Sequence, residues 1–198
     1  MKKYVFLILM CIFFQHSYAQ VEITPQYGYQ VGAKYNFYNG YVKMDASDQY
    51  GLTLNFDLNG YGLQAEAFWV MQNSVVSIRD YYDYPRETEI SDLKVNHFQF
   101  GVINQWENGQ LAPFFGMSAG FSIFDPSEYN SSTKFTLGLS GGLKYYFTDV
   151  IGIRLQSQLL MPIDWGGVYI YPGGSSVDVG GTILQLNFSG GLIFALGR

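Results

Sequence analysis

Two cations set the first question. Lys144 and Arg154 lie in the glycine-rich stretch FTLGLSGGLKYYFTDVIGIRLQSQLLMP, residues 135–162, each inside an apolar run that carries no acid. A charge in such a setting is stable only when it is paired or reaches water. The acids placed to answer them are Glu66 and, as a weaker candidate near a turn, Asp57; Lys34 is a third cation of the same kind. The chemistry open to this set is ion pairing, either as a static network or as a gate for small ions. His97, in NHFQF, is the only histidine after residue 19 and has no serine two positions on, so a hydrogen-bonded filler is its expected role. A third group is SIRDYYDYPRETEISD, residues 77–92, where Asp80, Asp83, Glu87, Glu89 and Asp92 alternate with Tyr81, Tyr82 and Tyr84. It reads as a solvated loop, a tyrosine-rich binding or adhesion surface, or a divalent-cation site. No paired-carboxylate, phosphate-loop or metal-ligand spacing stands out, so neither catalytic residues nor cofactors are expected.

The elements that hold these residues follow from composition and pattern. Of 198 residues, 48% are hydrophobic and 18% aromatic but only 14% are charged, against about 25% charged in a typical soluble domain. Lys2 and Lys3, the apolar run from Tyr4 to Phe14 and the small-x-small site Ser17-Tyr18-Ala19 read as a signal peptide, residues 1–19. That run is well short of the ~20 residues a membrane helix needs. Cys11, the only cysteine, lies within it and lacks the small preceding residue of a lipidation site. Cleavage takes two of the 11 basic residues and leaves 9 against 16 acidic ones, a net charge of −7 with no cysteine. Residues 20–198 are therefore one disulfide-free domain, and the absence of a basic cluster argues against nucleic acid.

After Gln20 the chain alternates with period two in eight runs: 23–37, 49–58, 61–71, 93–106, 111–124, 133–147, 151–163 and 179–196. Runs of roughly 10 to 18 residues exceed ordinary strands and suit tilted membrane-spanning ones. Tight turns at Asn59-Gly60, Asn108-Gly109 and Thr148-Asp149-Val150 alternate with longer polar segments at 38–48, 72–92, 125–132 and 164–178. Short and long connections in alternation predict an all-β fold, an eight-stranded antiparallel up-and-down transmembrane β-barrel.

Parity separates two faces. One is apolar, as in Leu52, Leu54 and Phe56, in Phe98, Phe100 and Val102, and in Leu184, Leu186 and Phe188; Val31, Ala33 and Tyr35 are assigned to it as well. The other carries Gln30, Lys34, Glu66, His97, Lys144, Arg154 and many amides, interspersed with glycines. A soluble barrel would turn the apolar face inward and show a Lys- and Glu-rich exterior. The low charge and the glycines favour the inverse, with the apolar face toward lipid and the polar face in a cramped lumen. Aromatic residues then form two interfacial girdles: Phe37, Tyr38, Tyr50, Trp69 and Trp165 at one end, and Phe56, Tyr61, Trp106, Tyr145 and Phe147 at the other. A three-residue turn sets Lys144 opposite Arg154, and Glu66, across the lumen, is the preferred partner of Arg154.

The segments LAPFFGMSAGFSIF, FTLGLSGGLKYYFTDVIGIRLQ and LQLNFSGGLIFALG resemble small outer-membrane barrels of the OmpA/OmpX type and the barrel proteins of Bacteroidetes outer membranes. The resemblance implies an integral outer-membrane protein of the Gram-negative envelope, without an open pore, monomeric, surrounded by lipid and lipopolysaccharide. It implies a non-enzymatic role in envelope integrity or in contact with a surface or envelope protein through the long loops. Two other roles remain open: a component of a secretion or transport system, and a lipid-modifying enzyme using His97, since some barrels of this kind carry deacylase or acyltransferase sites.

Overall fold

In a computed structural model, residues 20–37, 40–58, 61–80, 84–106, 108–128, 130–163, 168–171, 174–177 and 184–196 are described. The residues of the expected signal peptide, the Asn59-Gly60 turn and Tyr81–Asp83 lie outside them. Among the described residues there are twelve strands: β1 (Val21–Gln30), β2 (Ala33–Phe37), β3 (Gly40–Met44), β4 (Ser47–Asp57), β5 (Leu63–Asp80), β6 (Tyr84–Gln105), β7 (Leu111–Pro126), β8 (Ser132–Tyr146), β9 (Ile151–Ile163), β10 (Val168–Tyr171), β11 (Gly174–Val177) and β12 (Gln185–Leu196). Eight of them close a ring in the order β1-β4-β5-β6-β7-β8-β9-β12, every pairing antiparallel. Closure removes every edge within the ring, which is how a sheet satisfies its backbone without water.

Alternation is the reason for this shape. Leu52, Phe56, Phe98, Phe100, Leu137, Leu155 and Phe188 face outward and exposed, while Thr53, Asn55, Gln99, Arg154, Gln156 and Asn187 between them are buried. Apolar outside and polar inside is the inverse of a soluble core and the pattern of a barrel in lipid. Phe56, Tyr61, Trp106, Tyr145 and Phe147 ring the end with short turns. At the other end Tyr50 meets Trp69 edge to face, with centroids 6.1 Å apart.

The turns are built locally. Gly109 has φ 64° within the Asn108–Leu111 bridge, a conformation that favours glycine. The Thr148 Oγ1 accepts hydrogen bonds from the amides of Val150 and Ile151 at 3.3 and 3.0 Å, closing the β8–β9 turn. Pro25 lies inside β1, not at a strand end or bulge; lacking an N–H, it falls where the β1–β12 ladder is interrupted without a change of register.

Several expectations need correcting. The run 23–37 is broken at Val31-Gly32, and parity reverses across the break, so Ala33 is buried and Lys34 exposed. In the segments 38–48 and 72–92, expected as loops, the described residues are mostly strand. β5 and β6 continue as one hairpin of 18 and 22 residues, with irregularities at Val76/Ser77 and Ile78/Asp80, and β2–β3 pairs onto its β5 side. The glycines serve two ends: at Gly116 and Gly138 a Cβ would meet the inward side chains of Ile103, Ser140, Ser118 and Leu160, so room in the lumen is shared as expected, whereas others allow close backbone approach. A Cβ on Gly28 would collide with the Phe188 carbonyl, and one on Gly120 with the Phe98 carbonyl, so these positions permit close strand approach.

The inner face is less uniformly polar than alternation alone suggests. Phe68, Val70 and Leu160 form a buried apolar cluster, and Ala112, Tyr146 and Ile193 form another. A third, Ala33, Met44, Leu93 and Val95, packs with Val76 and Phe124 toward the long-loop end.

Candidate functional site

The lumen near the short-turn end holds a compact charge network. β8 and β9 are joined in a register that sets Lys144 opposite Arg154 on the inner face, both essentially fully buried. Like charges across a ladder repel, and each finds its own carboxylate. Arg154 Nη2 donates to Glu66 Oε2 at 2.6 Å. Its Nη1 donates to Asn55 Oδ1 at 2.9 Å and its Nε to Gln156 Oε1 at 2.7 Å. Asn55 Nδ2, opposite Glu66 in the β4–β5 ladder, donates to the same Glu66 oxygen at 3.0 Å. The guanidinium carbon lies 4.4 Å from the Phe114 ring centroid, a cation–π contact on a buried face.

Lys144 Nζ donates to Glu22 Oε2 at 2.6 Å and to Gln64 Oε1 at 2.8 Å. Tyr146 donates its hydroxyl to the other Glu22 oxygen at 2.6 Å. Two cations and two carboxylates thus cancel in a low-dielectric interior, where an unpaired charge is severely penalised. From Arg154 the network continues upward: Gln156 Nε2 donates to Gln26 Oε1 at 2.7 Å and to Ser189 Oγ at 3.0 Å.

Of the residues expected to form this network, Glu66, Lys144 and Arg154 come together. Asp57 is half-buried at the turn end of β4, opposite Gln64 in the ladder. Lys34 does not belong: it is exposed, with Nζ 3.6 Å from the Tyr41 ring centroid. Glu22 was not anticipated, although it shares the even parity of Gln26 and Gln30 and extends the first run inward by one step.

His97 is fully buried in the lumen. Its Nδ1 is 2.6 Å from Ser122 Oγ, which is 2.5 Å from Thr136 Oγ1. This chain of hydroxyls faces away from the lipid wall. The Asp80–Glu89 group is likewise not a loop over its whole length. Asp80 and Tyr84 are paired backbone positions, and Glu89 is exposed on β6 opposite Ser77. Glu87 accepts from the Tyr41 hydroxyl at 2.7 Å and from Lys43 Nζ at 3.2 Å, while Lys43 also lies 2.7 Å from Asp45. The Tyr41 hydroxyl and then the Lys43 ammonium hold the Glu87 carboxyl below the usual range, and Asp45 and Glu87 push Lys43 up. Among the described residues no three potential metal ligands gather.

A closed ring with an apolar wall and a lumen lined by buried polar side chains defines a small integral-membrane β-barrel. The chain is similar in structure to the outer membrane protein OprG of Pseudomonas aeruginosa, with TM-score 0.66 and 11% identity over 90% of this chain and 96% of that one. Neisserial surface protein A matches with TM-score 0.58 and 12% identity over 90% and 97%. No family model matches the sequence, and no curated protein matches it. At such identities the likeness establishes the fold.

Proposed function

We propose that this chain is a non-enzymatic outer-membrane barrel, exported by residues 1–19, whose closed lumen anchors a rigid surface sheet serving envelope integrity or contact with another surface. The observation that carries this reading is the pairing of a lumen lined by buried, ion-paired side chains with strands longer than the membrane requires. A tilted spanning strand needs about 9–11 residues, whereas β5 has 18 and β6 has 22. The surplus, joined by β2 and β3, stands beyond the bilayer as a sheet. Its partners are outer-membrane lipid and lipopolysaccharide around the wall and an unidentified surface or envelope protein at the sheet, with the barrel acting as a monomer. Kinship with Bacteroidetes barrels belongs to the same proposal. The burial of His97 and Ser122 inside the wall speaks against their acting on a lipid substrate. Fractionation with the outer membrane and heat-dependent migration in unboiled gels test the placement, and recovery as a soluble periplasmic protein would refute it. Deletion should alter envelope permeability or surface binding while leaving lipid A unmodified.

A further inference from the structure

Above the ion pairs the lumen holds polar groups of a different kind. On the contiguous wall of β9, β12, β1 and β4, Gln158 stands opposite Asn187, Asn187 opposite Gln30, and Gln30 opposite Ser47. Gln49 is the next inward residue on β4. The four amides are at most 1% exposed. Both amide atoms of Gln49, Gln158 and Asn187, the carbonyl of Gln30 and the hydroxyl of Ser47 have no hydrogen-bond partner within the protein. Native interiors rarely leave buried polar atoms unpaired, and a whole wall of them calls for a partner that is not a side chain. The inward charges on these strands, Glu22, Asp57 and Arg154, lie at the turn end, and Glu22 and Arg154 are engaged in the ion pairs. The wall thus offers donors and acceptors in one neutral row.

We propose that this wall lines a binding chamber for a small neutral solute of the amide or polyol class. Its floor is the Glu22–Lys144 and Glu66–Arg154 layer with Phe114. Its lid is the apolar cluster of Ala33, Met44, Leu93 and Val95, with Val76 and Phe124 packed against it. The mixture of amide N–H and C=O groups matches a ligand that both donates and accepts, and the inward charges of the facing strands, Glu66 and Lys144, are already held in ion pairs, which disfavours an ion whose desolvation nothing would offset. The narrow bore of an eight-stranded barrel limits the ligand to a few heavy atoms. Water is the competing occupant.

The test uses the full-length barrel refolded in detergent with increasing acetamide or, separately, glycerol, read by NMR at the side-chain amides of Gln49, Gln158 and Asn187. The expected result is a saturable shift at these groups, with ligand-to-amide cross-peaks, that is lost in Gln158→Leu and Asn187→Leu variants still showing the folded gel mobility. Leu93→Ala, which thins the lid, should speed ligand exchange. Water cross-peaks alone at these amides, or shifts that grow linearly and equally at surface amides, would overturn the proposal.

Discussion

Replacing Glu66 by Gln removes one charge from the lumen and almost no volume. Arg154 keeps its bonds to Asn55 and Gln156 and its place over Phe114, but the 2.6 Å contact with Glu66 loses its charge and the guanidinium is left uncompensated. Breaking a buried pair by removing one partner costs roughly 3–5 kcal/mol. The remaining hydrogen bonds and the ring place the expected loss near the lower end, about 3 kcal/mol. For a chain of this size that corresponds to a fall in melting temperature of about 6–12 °C. The assay is urea or thermal unfolding in detergent, followed by gel mobility and tryptophan fluorescence. A double variant, Glu66→Gln with Arg154→Met, removes both charges and should recover most of the loss, because a buried pair replaced by neutral groups is often near neutral. Superimposable unfolding curves for wild type and Glu66→Gln would refute the reasoning. Failure of the double variant to recover would show that the loss came from packing and not from charge.

Other consequences follow from the same geometry. Lys34→Ala should change stability by less than about 0.5 kcal/mol, as befits a surface side chain; a loss of several kcal/mol in the same unfolding assay would return Lys34 to the lumen. Gly120→Ala should destabilise by about 1–3 kcal/mol, because its Cβ meets the Phe98 carbonyl, and an unchanged midpoint would contradict that close approach. The Tyr41–Lys43–Glu87 tie should respond to pH at both extremes. Glu87 has a lowered pKa, so its contribution is present above the ordinary carboxylate pKa and fades as pH falls through its lower folded value. Lys43 has a raised pKa, so its contribution is present below about pH 10.4 and is lost as pH rises through its folded value above that. Hydrogen exchange at residues 40–44 should therefore stay flat between about pH 5 and 10 once corrected for intrinsic rates; a transition within that window would count against the assignment.

The spanning strands were legible because a wall between lipid and a filled lumen imposes strict alternation, and Leu52-Thr53-Leu54-Asn55-Phe56 shows it plainly. The pairing of Glu66 with Arg154 could be argued because inward cations are so few. Glu22 escaped notice at the very start of its strand, beside the expected cleavage site. Lys34 was misassigned because parity cannot be carried through the break at Val31-Gly32. Arg86, Glu87, Thr88 and Glu89 are exposed in succession, so both faces of this part of β6 are polar, and Asp80–Glu89 loses the apolar period and looks like a loop. Inside the lumen, Phe68 and Val70 sit in the continuously apolar FWVM, where both faces are greasy and alternation is silent.

The most direct test of a closed lumen is planar-bilayer conductance of the purified, refolded barrel. The two ion pairs and the apolar layers above them predict a quiet membrane at neutral pH, without discrete current steps. Stable, reproducible steps from protein showing the folded gel mobility would contradict a sealed interior.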